Sequence, residues 1–454
     1  MTFAYQREDT IAAIATPPGE GGVGIVRISG TQAIAIADQV FSGSVGTFAT
    51  HTAHFGSIKD SQGKILDSGL CLVMLGHRSY TGENTVELHC HGGTLVTRRV
   101  LEAVLGAGAR AAQAGEFTFR AYMNGKIDLA QAEAVQELIS AKNELALEAA
   151  GKQLQGALSE KIRSFQIDLT HIAAILEAWV DFPEEGLEFA SFEQMDTTLS
   201  QILHQMEQLH NTFHNGKIVH EGIAISLIGS PNVGKSSLMN ALLGKDRAIV
   251  SEIAGTTRDT LEDDLKLNQI HIRLIDTAGI RETKDTIENE GIKRSHQAIQ
   301  ESDLILCLLD ASRGLTYEDH PLLKKVPKEK TIIIWNKIDL VSSELPELEF
   351  PYVVPISAKL HLGFDVLYQT IEKAIWKQNP PKDQILITKL RHKEALFGSI
   401  EACKRVKVGL QNKTSAEFVS SDMRTCLTEL GKIIGTDVTE DILTAVFSTF
   451  CVGK

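Results

Sequence analysis

The chain has 454 residues, a formal net charge of −13 and a hydrophobic content of 43%. The acidic balance argues against a protein coated in basic surface for non-specific nucleic-acid binding. The six cysteines are scattered, without the spacing of a metal site or a disulfide framework. The chain shows no signal-peptide pattern and no apolar run of membrane length. These features predict a reduced, soluble, cytoplasmic protein without a membrane segment.

The first predicted domain covers residues 1–122 and mixes short strands with glycine turns. The pattern predicts one helix, at residues 94–105, and strands at residues 11–15, 24–28, 70–74 and 86–91. Such a mixture is typical of an α+β domain. His89-Cys90-His91 places two histidines on one strand face, but no further ligands follow at metal-site spacing. A plain strand is therefore favoured over a metal centre.

Helical periodicity replaces this pattern in residues 123–220, the second predicted domain. Apolar residues recur there on two helical stripes. The first stripe contains Leu154, Leu158, Ile162, Phe165, Leu169, Ile172 and Leu176, and the second contains Leu199, Ile202, Leu203, Met206 and Leu209.

A complete phosphate-loop motif, G-x-x-x-x-G-K-S, runs from Gly229 to Ser236. Apolar residues 223–228 predict the strand that feeds the loop, and residues 237–243 predict the helix that leaves it. In such a loop the backbone N–H groups cradle the β-phosphate, Lys235 reaches the β/γ oxygens and Ser236 ligates Mg²⁺.

Further guanine-nucleotide motifs follow in chain order between residues 221 and 376, the predicted Ras-like GTPase domain. A predicted strand at 270–275 leads into Asp276-Thr277-Ala278-Gly279, and Thr257 in the preceding segment can complete the Mg²⁺ shell. Strand 331–335 delivers Asn336-Lys337-Ile338-Asp339, and strand 352–356 delivers Ser357-Ala358-Lys359.

The base preference follows from Asp339, whose carboxylate can accept from guanine N1–H and the 2-amino group together. Adenine has no such donor pair. A site built on these hydrogen bonds rejects the wrong base by a factor on the order of 10⁴, which argues against an adenine-binding P-loop enzyme. The Ala358 N–H is placed to donate to guanine O6. The predicted GTP-binding residues are Asn232, Val233, Gly234, Lys235, Ser236, Ser237, Ser251, Glu252, Ile253, Ala254, Gly255, Thr256, Thr257, Asp276, Thr277, Ala278, Gly279, Asn336, Lys337, Asp339, Ser357, Ala358 and Lys359.

The predicted catalytic residues differ from those of Ras-like enzymes, which place a glutamine directly after the Asp-x-x-Gly motif. Here Ile280 occupies that position and cannot orient water. A K⁺ ion can supply the missing charge, because Asn232 offers a side-chain oxygen and the segment 251–256 offers backbone carbonyls. The predicted K⁺ ligands are Asn232, Ser251, Ile253 and Thr256.

Helical patterns return after the GTPase, at residues 386–408 and 416–450. The last predicted domain, 377–454, therefore joins residues 123–220 in one helical domain into which the GTPase is inserted. A basic cluster near its start, Lys389, Arg391, His392, Lys393, Lys404, Arg405 and Lys407, either touches tRNA or is a solvated helix face, with the second interpretation slightly favoured.

Sequence outside the GTPase motifs resembles one family throughout the chain. The resemblance rests on Asp9-Thr10-Ile11, on the run from Ala15 to Gly30, and on Tyr80-Thr81-Gly82-Glu83, His91-Gly92-Gly93, Gly115-Glu116-Phe117-Thr118, the run from Asn124 to Ala134 and the terminal Cys451-Val452-Gly453-Lys454. These residues are similar to those of the MnmE (TrmE) family of tRNA-modification GTPases. Two alternatives remain. A ribosome-assembly GTPase should carry a basic RNA-binding domain, and a regulatory switch would need no such N-terminal domain.

The resemblance implies a multidomain α+β homodimer, joined through N-terminal folate-binding domains, with an α-helical domain and the inserted α/β P-loop GTPase. It implies joint action with the flavoprotein MnmG to add a carboxymethylaminomethyl or aminomethyl group to C5 of the wobble uridine (position 34) of certain tRNAs. The one-carbon unit is expected from a tetrahydrofolate derivative, the 5-formyl or 5,10-methylene form.

Family residues carry over to particular positions of this chain. Folate ligands are expected at Arg27, Glu87, Lys126 and Lys454, with Glu83 as the rival acidic ligand. Cys451 is expected in the modification chemistry, as a nucleophile or as a residue that shapes the site. Glu288 matches the acidic residue that positions the attacking water once two GTPase domains meet across the dimer.

Overall fold

The computed structural model describes residues 9–181, 192–245, 263–267, 270–275, 299–342, 344–376 and 384–453. The chain divides into two compact units. Unit 1 comprises residues 1–139, 150–207 and 394–454, and unit 2 comprises residues 140–149 and 208–393.

Unit 1 contains a mixed six-stranded sheet in the order β3-β4-β5-β2-β1-β6. Its strands are β1 (Ile11–Ile14), β2 (Val23–Ser29), β3 (Thr52–Lys59), β4 (Ile65–Met74), β5 (Thr85–His91) and β6 (Arg110–Ala111). Helices α1 (Ala33–Val40) and α2 (Thr94–Gly106) pack on one face of this sheet, where they bury Val26, Ile28, Val86 and Leu88. Side chains alternate along a strand, so Arg27 and Glu87 lie on the opposite face.

The remainder of unit 1 is helical. Its helices include α3 (Glu116–Met123), α4 (Leu129–Ser140), α5 (Glu144–Leu154), α6 (Ala157–Asp181), α7 (Phe192–Asn211), and, late in the chain, Leu390–Gln411, Ala416–Ile434 and Glu440–Phe447. The first part of α5, residues 144–149, is assigned to unit 2, as are the end residues of α4 and α7 and the first residues of the Leu390 helix. Residues from both ends of this set share contacts: Glu177 accepts from Arg424 at 3.1 Å, and Ser399 donates to the sulfur of Met206 at 3.7 Å.

Unit 2 contains the second sheet, in the order β12-β11-β10-β7-β9-β8. Its strands are β7 (Ile223–Gly229), β8 (Asp263–Leu267), β9 (Ile270–Ile275), β10 (Leu304–Asp310), β11 (Thr331–Asn336) and β12 (Tyr352–Pro355). All neighbours are parallel except the antiparallel pair β8 and β9. Helices α8 (Phe213–Glu221), α9 (Lys235–Lys245), α10 (Asp319–Lys325) and α11 (Phe364–Ile375) accompany it. The last three helices of the chain, given above, are α12, α13 and α14.

Parallel strands buried on both faces explain the near-continuous apolar runs of β10 and β11, in which every residue is buried. The carboxyl ends of β7, β10 and β11 meet at one edge of the sheet, where ligands bind in open α/β folds. The predicted fold class, an α+β N-terminal domain, a helical domain and an α/β P-loop domain, is confirmed.

Several local predictions differ from the structure. The first domain has more than one helix, because α1 and α3 also form; the Ala-Ile-Ala-Ile start of α1 imitates a strand, yet Ala33, Ile36, Ala37 and Val40 are buried at helical spacing. The helix predicted from residue 386 begins at Leu390, and Leu386 and Ile387 are buried ahead of it, outside any helix. The helical pattern predicted over 416–450 forms two helices, because Gly435, with φ +89°, ends α13.

Candidate functional site

The phosphate loop joins β7 to α9, as the motif predicts, and its geometry depends on two left-handed residues. Asn232 has φ +63° and Gly234 has φ +101°. A Cβ on Gly234 would lie 2.2 Å from Asn336 Nδ2, so only glycine fits there. The predicted helix start at residue 237 is corrected to Lys235, which places Lys235 and Ser236 in the first turn.

Lys235 folds its ammonium back over the loop. Its Nζ donates to the carbonyls of Gly229 at 2.6 Å and Ser230 at 3.0 Å. Burial lowers the pKa of Lys235. The cation is therefore held at the mouth of the loop, where the motif places phosphate oxygens. Ser236 and Ser237 are exposed beside it.

Asn336 connects the phosphate loop to the predicted base-binding segment. Its Nδ2 donates to the Val233 carbonyl at 2.8 Å, and its Oδ1 accepts from the Ala358 N–H at 3.0 Å. The Ala358 N–H predicted to donate to guanine O6 is thus engaged by Asn336. Asn336 is 2% exposed, which makes it an internal brace between two loops.

Lys337 forms a second connection between β11 and the phosphate loop. It adopts φ +67°, donates from Nζ to the Asn232 carbonyl at 2.8 Å and pairs with Asp310 at 2.6 Å. Burial alone would raise the pKa of Asp310, but hydrogen bonds from Lys337 and Ser312 outweigh it and hold the pKa below its ordinary value.

Asp339 is exposed on the short turn Ile338–Leu340 directly after this connection. Ser357 and Ala358 are buried and Lys359 is exposed; Ser357 Oγ accepts from the Leu360 N–H at 3.2 Å and closes the segment. The structure therefore brings the motif elements of β7, β11 and β12 to one end of the sheet.

Two acidic residues at this end were missed by the sequence reasoning. Asp310 ends a buried strand at the ligand-binding edge, which was an available signal. Asp319 is 2% exposed; it accepts from Ser230 Oγ at 2.7 Å and from Thr316 Oγ1 at 2.7 Å. Burial would raise the pKa of Asp319, but these bonds, with that from the Thr316 N–H, lower it. Nothing local in the sequence indicates that Asp319 braces the phosphate loop.

Several predicted residues lie outside the described part of the chain. They are Ser251, Glu252, Ile253, Ala254, Gly255, Thr256, Thr257, Asp276, Thr277, Ala278, Gly279, Glu288 and Lys454.

A second group of predicted residues meets on the sheet of unit 1. Arg27 on β2 and Glu87 on β5 are directly opposite each other in the strand register, and Arg27 Nε donates to Glu87 Oε1 at 2.8 Å. The guanidinium also lies 5.9 Å from the ring centre of Tyr80 and 5.7 Å from that of Phe117. Both side chains of the Arg27–Glu87 pair are mostly buried, with exposed fractions of 20% and 11%. Burial raises the pKa of Tyr80.

The carboxyl-terminal segment returns to this pair. Arg27 Nη1 donates to the Gly453 carbonyl at 3.4 Å, Val452 bridges Ala114, and the Gly115 N–H donates to the Cys451 carbonyl at 3.3 Å. Cys451 is exposed. A cavity of about 550 Å³ opens beside the segment, lined in part by Ile14, Thr16, Gly24 and Val452.

Lys126 and Glu83 lie in other arrangements. Lys126 Nζ donates to the His77 carbonyl at 2.7 Å. Glu83 accepts from Ser29 Oγ at 2.9 Å and from the fully buried Arg120 at 3.1 Å. Arg120 also binds Asp9 and Glu116, so Glu83 belongs to a buried ionic network. Of the two acidic candidates, Glu87 is therefore the one that pairs with Arg27, and Glu83 pairs with Arg120.

In the predicted basic cluster, several cations have acidic partners. Lys404 pairs with Glu207 and Glu401 at 3.1 and 3.2 Å, and Arg405 pairs with Asp422 at 2.7 Å. Within the described ranges, no helix is long and apolar enough to cross a membrane.

Comparisons with known proteins agree with this geometry. The family model described as "GTP-binding protein TrmE N-terminus" matches residues 10–126, and that described as "MnmE helical domain" matches residues 129–451. A protein of Protochlamydia amoebophila (strain UWE25) named "tRNA modification GTPase MnmE" is 63% identical over 451 residues, covering 99% of this chain and 98% of the relative. A protein of the same name from Clostridioides difficile (strain 630) is 40% identical over 457 residues, covering 98% and 99%.

Among solved structures, a point variant of Era from Aquifex aeolicus bound to GDP.AlF4- is 32% identical and covers 40% of this chain and 66% of its own, with a TM-score of 0.27. The parallel sheet and the phosphate loop at the end of β7 define a P-loop GTPase, a GTP-hydrolysing enzyme. The two family models together match residues 10–126 and 129–451, on both sides of the GTPase and across it. The chain belongs to the MnmE (TrmE) family of tRNA modification GTPases.

Proposed function

We propose that this chain, as a homodimer and together with the flavoprotein MnmG, adds a carboxymethylaminomethyl or aminomethyl group to C5 of the wobble uridine (position 34) of tRNA. One observation carries the proposal: the segment that contains Cys451 returns to the sheet of unit 1, where the Gly453 carbonyl accepts from Arg27 and Arg27 pairs with Glu87, in the same chain as the GTPase. A GTPase that acts only as a regulatory switch needs no such terminal segment.

The GTPase half of the proposal rests on the phosphate loop and its braces. Lys235 binds the β/γ-phosphates, Asp339 binds guanine beside the segment Ser357-Ala358-Lys359, and Ser236 with Thr257 holds Mg²⁺. The bound Mg²⁺ supplies positive charge for the phosphate oxygens. The shape of the loop fits this assignment, because Gly234 packs against Asn336 and Lys235 is already aimed over the loop carbonyls.

The folate half rests on the residues around Arg27. Arg27 and Lys126 can bind the anionic glutamyl tail, and Glu87 can accept from the donor edge of the pterin. The folate supplies the one-carbon unit when it is bound. Cys451, exposed at this position, contacts the reacting groups or shapes their surroundings.

Lys126 is the less well supported ligand, because its ammonium binds the His77 carbonyl. We retain it, with Lys454, in the proposed folate set. Lys126→Ala should weaken folate binding less than Arg27→Ala.

The proposal is tested by reconstitution. Purified chain, MnmG, GTP, K⁺, unmodified tRNA and a folate labelled in its one-carbon group should yield tRNA labelled at the wobble uridine. Arg27→Ala should lose label transfer while it keeps GTP hydrolysis. GTP hydrolysis without any label transfer by the intact chain would instead favour the regulatory or ribosome-assembly alternative.

A further inference from the structure

Both oxygens of Glu87 already have partners on the chain. Oε1 accepts from Arg27 at 2.8 Å, and Oε2 lies 3.2 Å from Nε2 of His89. His89 is two residues further along β5, so the two side chains share one face of the sheet. A pterin edge that binds Glu87 must therefore displace or share one of these two bonds.

His89 is the weaker of the two partners. Its bond is longer, and its side chain is 26% exposed against 11% for Glu87. The residues opposite it in the strand register are apolar, Ile25 on β2 and Leu70 on β4. Arg27, in contrast, is held by Glu87, the Gly453 carbonyl and two aromatic rings. Displacement of His89 disturbs fewer contacts than displacement of Arg27.

We propose that His89 sets the affinity of the folate site by competing with the ligand for Glu87 Oε2. The inference rests on the proposed folate function of Arg27 and Glu87 and adds a positioning residue to it. A cationic imidazole donates a charge-assisted hydrogen bond to the carboxylate, and a neutral imidazole forms a weaker one. Histidine is the side chain that changes charge near neutral pH.

The direction of the effect follows from these two charge states. A cationic imidazole holds Glu87 Oε2 more strongly, so folate should compete less well at low pH. A neutral imidazole holds it less strongly, so folate should bind more tightly at high pH.

Other charged or titratable groups near this face are few among the described residues. Glu87 and His91 share the strand with His89, Arg27 projects from β2, and Asp67 projects from β4. Asp67 is committed to His91, whose Nδ1 lies 2.9 Å from its Oδ1. The ring centre of Tyr80 lies 5.9 Å from the Arg27 guanidinium. None of these replaces His89 at Glu87 Oε2.

The test measures the Kd of 5-formyltetrahydrofolate for the full chain at about pH 6 and about pH 8, the range over which histidine titrates. The wild type should bind about tenfold more weakly at the lower pH, the scale of one hydrogen bond to a charged group. His89→Gln, which keeps a donor but does not titrate, should bind with nearly the same Kd at both values.

His91→Gln is the matched control, since it removes a histidine from the same face that pairs with Asp67, and it should keep the wild-type pH dependence. A His89→Gln variant that keeps the wild-type pH dependence would overturn the inference, as would wild-type binding that tightens at the lower pH. Arg27→Ala and Glu87→Gln test the site itself. Unchanged folate binding in both would remove the proposed folate site, whatever His89 does.

Discussion

Asn336 and Asp339 lie three residues apart on the same segment and do different work. Asn336 is buried and ties Val233 to Ala358, whereas Asp339 is exposed on the turn that follows. The motif predicts both as guanine-site residues, but only the folded chain shows that Asn336 is a buried brace and that Asp339 is exposed.

Asp339→Asn should change which base is preferred. The substitution replaces a carboxylate acceptor with an amide that also donates, so GTP should bind about 10³-fold more weakly, and xanthosine triphosphate, with an acceptor at its 2-position, should bind better. Equilibrium binding of the two fluorescent-labelled nucleotides measures the exchange.

Asn336→Ala is the companion variant, since it should weaken both nucleotides without reversing their order. Loss of two buried hydrogen bonds should also destabilise unit 2 by about 2 kcal/mol. Unchanged GTP binding by Asp339→Asn would remove Asp339 from the guanine site.

At the scale of elements, short buried strands were the most predictable. Residues 270–275 were predicted as a strand and form β9 with those bounds. Their apolar side chains alternate as in a strand, and the charged Asp276 that follows marks where the pattern ends. Helix α1 was missed because its short Ala-Ile alternation satisfies strand and helix periods alike. The edge strand β3 was missed because its exposed Phe55 and its Gly56 give no one-sided pattern.

The two sites also differ in how well the sequence predicts them. Local motifs predict the phosphate loop, since its strand, loop and helix are contiguous in sequence. The Arg27–Glu87 pair and the return of Gly453 depend on strand register and on contacts between residues far apart in the chain, for which a sequence gives no local signal. Only family resemblance pointed to Arg27, Glu87 and Cys451.

Gly453→Ala should detach the carboxyl-terminal segment from β1. Gly453 has φ +98°, and an added Cβ would lie 2.3 Å from the Ile14 carbonyl oxygen. We expect folate binding to weaken at least about tenfold, because a strained left-handed residue costs on the order of 1–2 kcal/mol. Calorimetric titration with 5-formyltetrahydrofolate measures this, and GTP turnover should stay near wild type.

Gly106→Ala provides a control of the same chemistry, because no atom lies within 4 Å of its added Cβ and its φ is not left-handed. Full folate affinity in Gly453→Ala would show that the segment does not contribute to the site.

At the scale of the whole molecule, the GTPase reaction is proposed to need a second copy of the chain and K⁺. Ile280 cannot orient water, and a cation at the transition state is worth about 10³ to 10⁵ in rate. We expect turnover to rise steeply with K⁺, to fall when Na⁺ replaces it at equal ionic strength, and to drop strongly in Glu288→Ala with nucleotide binding intact. Steady-state phosphate release measures all three.

Equal turnover in K⁺ and Na⁺ would refute the cation role of Asn232, Ser251, Ile253 and Thr256. A fully active Glu288→Ala would refute the assignment of Glu288, independently of the ion.

The central claim is that one chain couples GTP hydrolysis to a chemically separate modification site at its carboxyl terminus. The most direct measurement is total nucleoside analysis of tRNA from a strain that lacks the gene and carries wild-type, Lys235→Ala or Cys451→Ser copies. Only the wild type should restore modified wobble uridine, while purified Cys451→Ser hydrolyses GTP near the wild-type rate and Lys235→Ala does not. Unchanged wobble uridines in the strain without any copy would contradict the account.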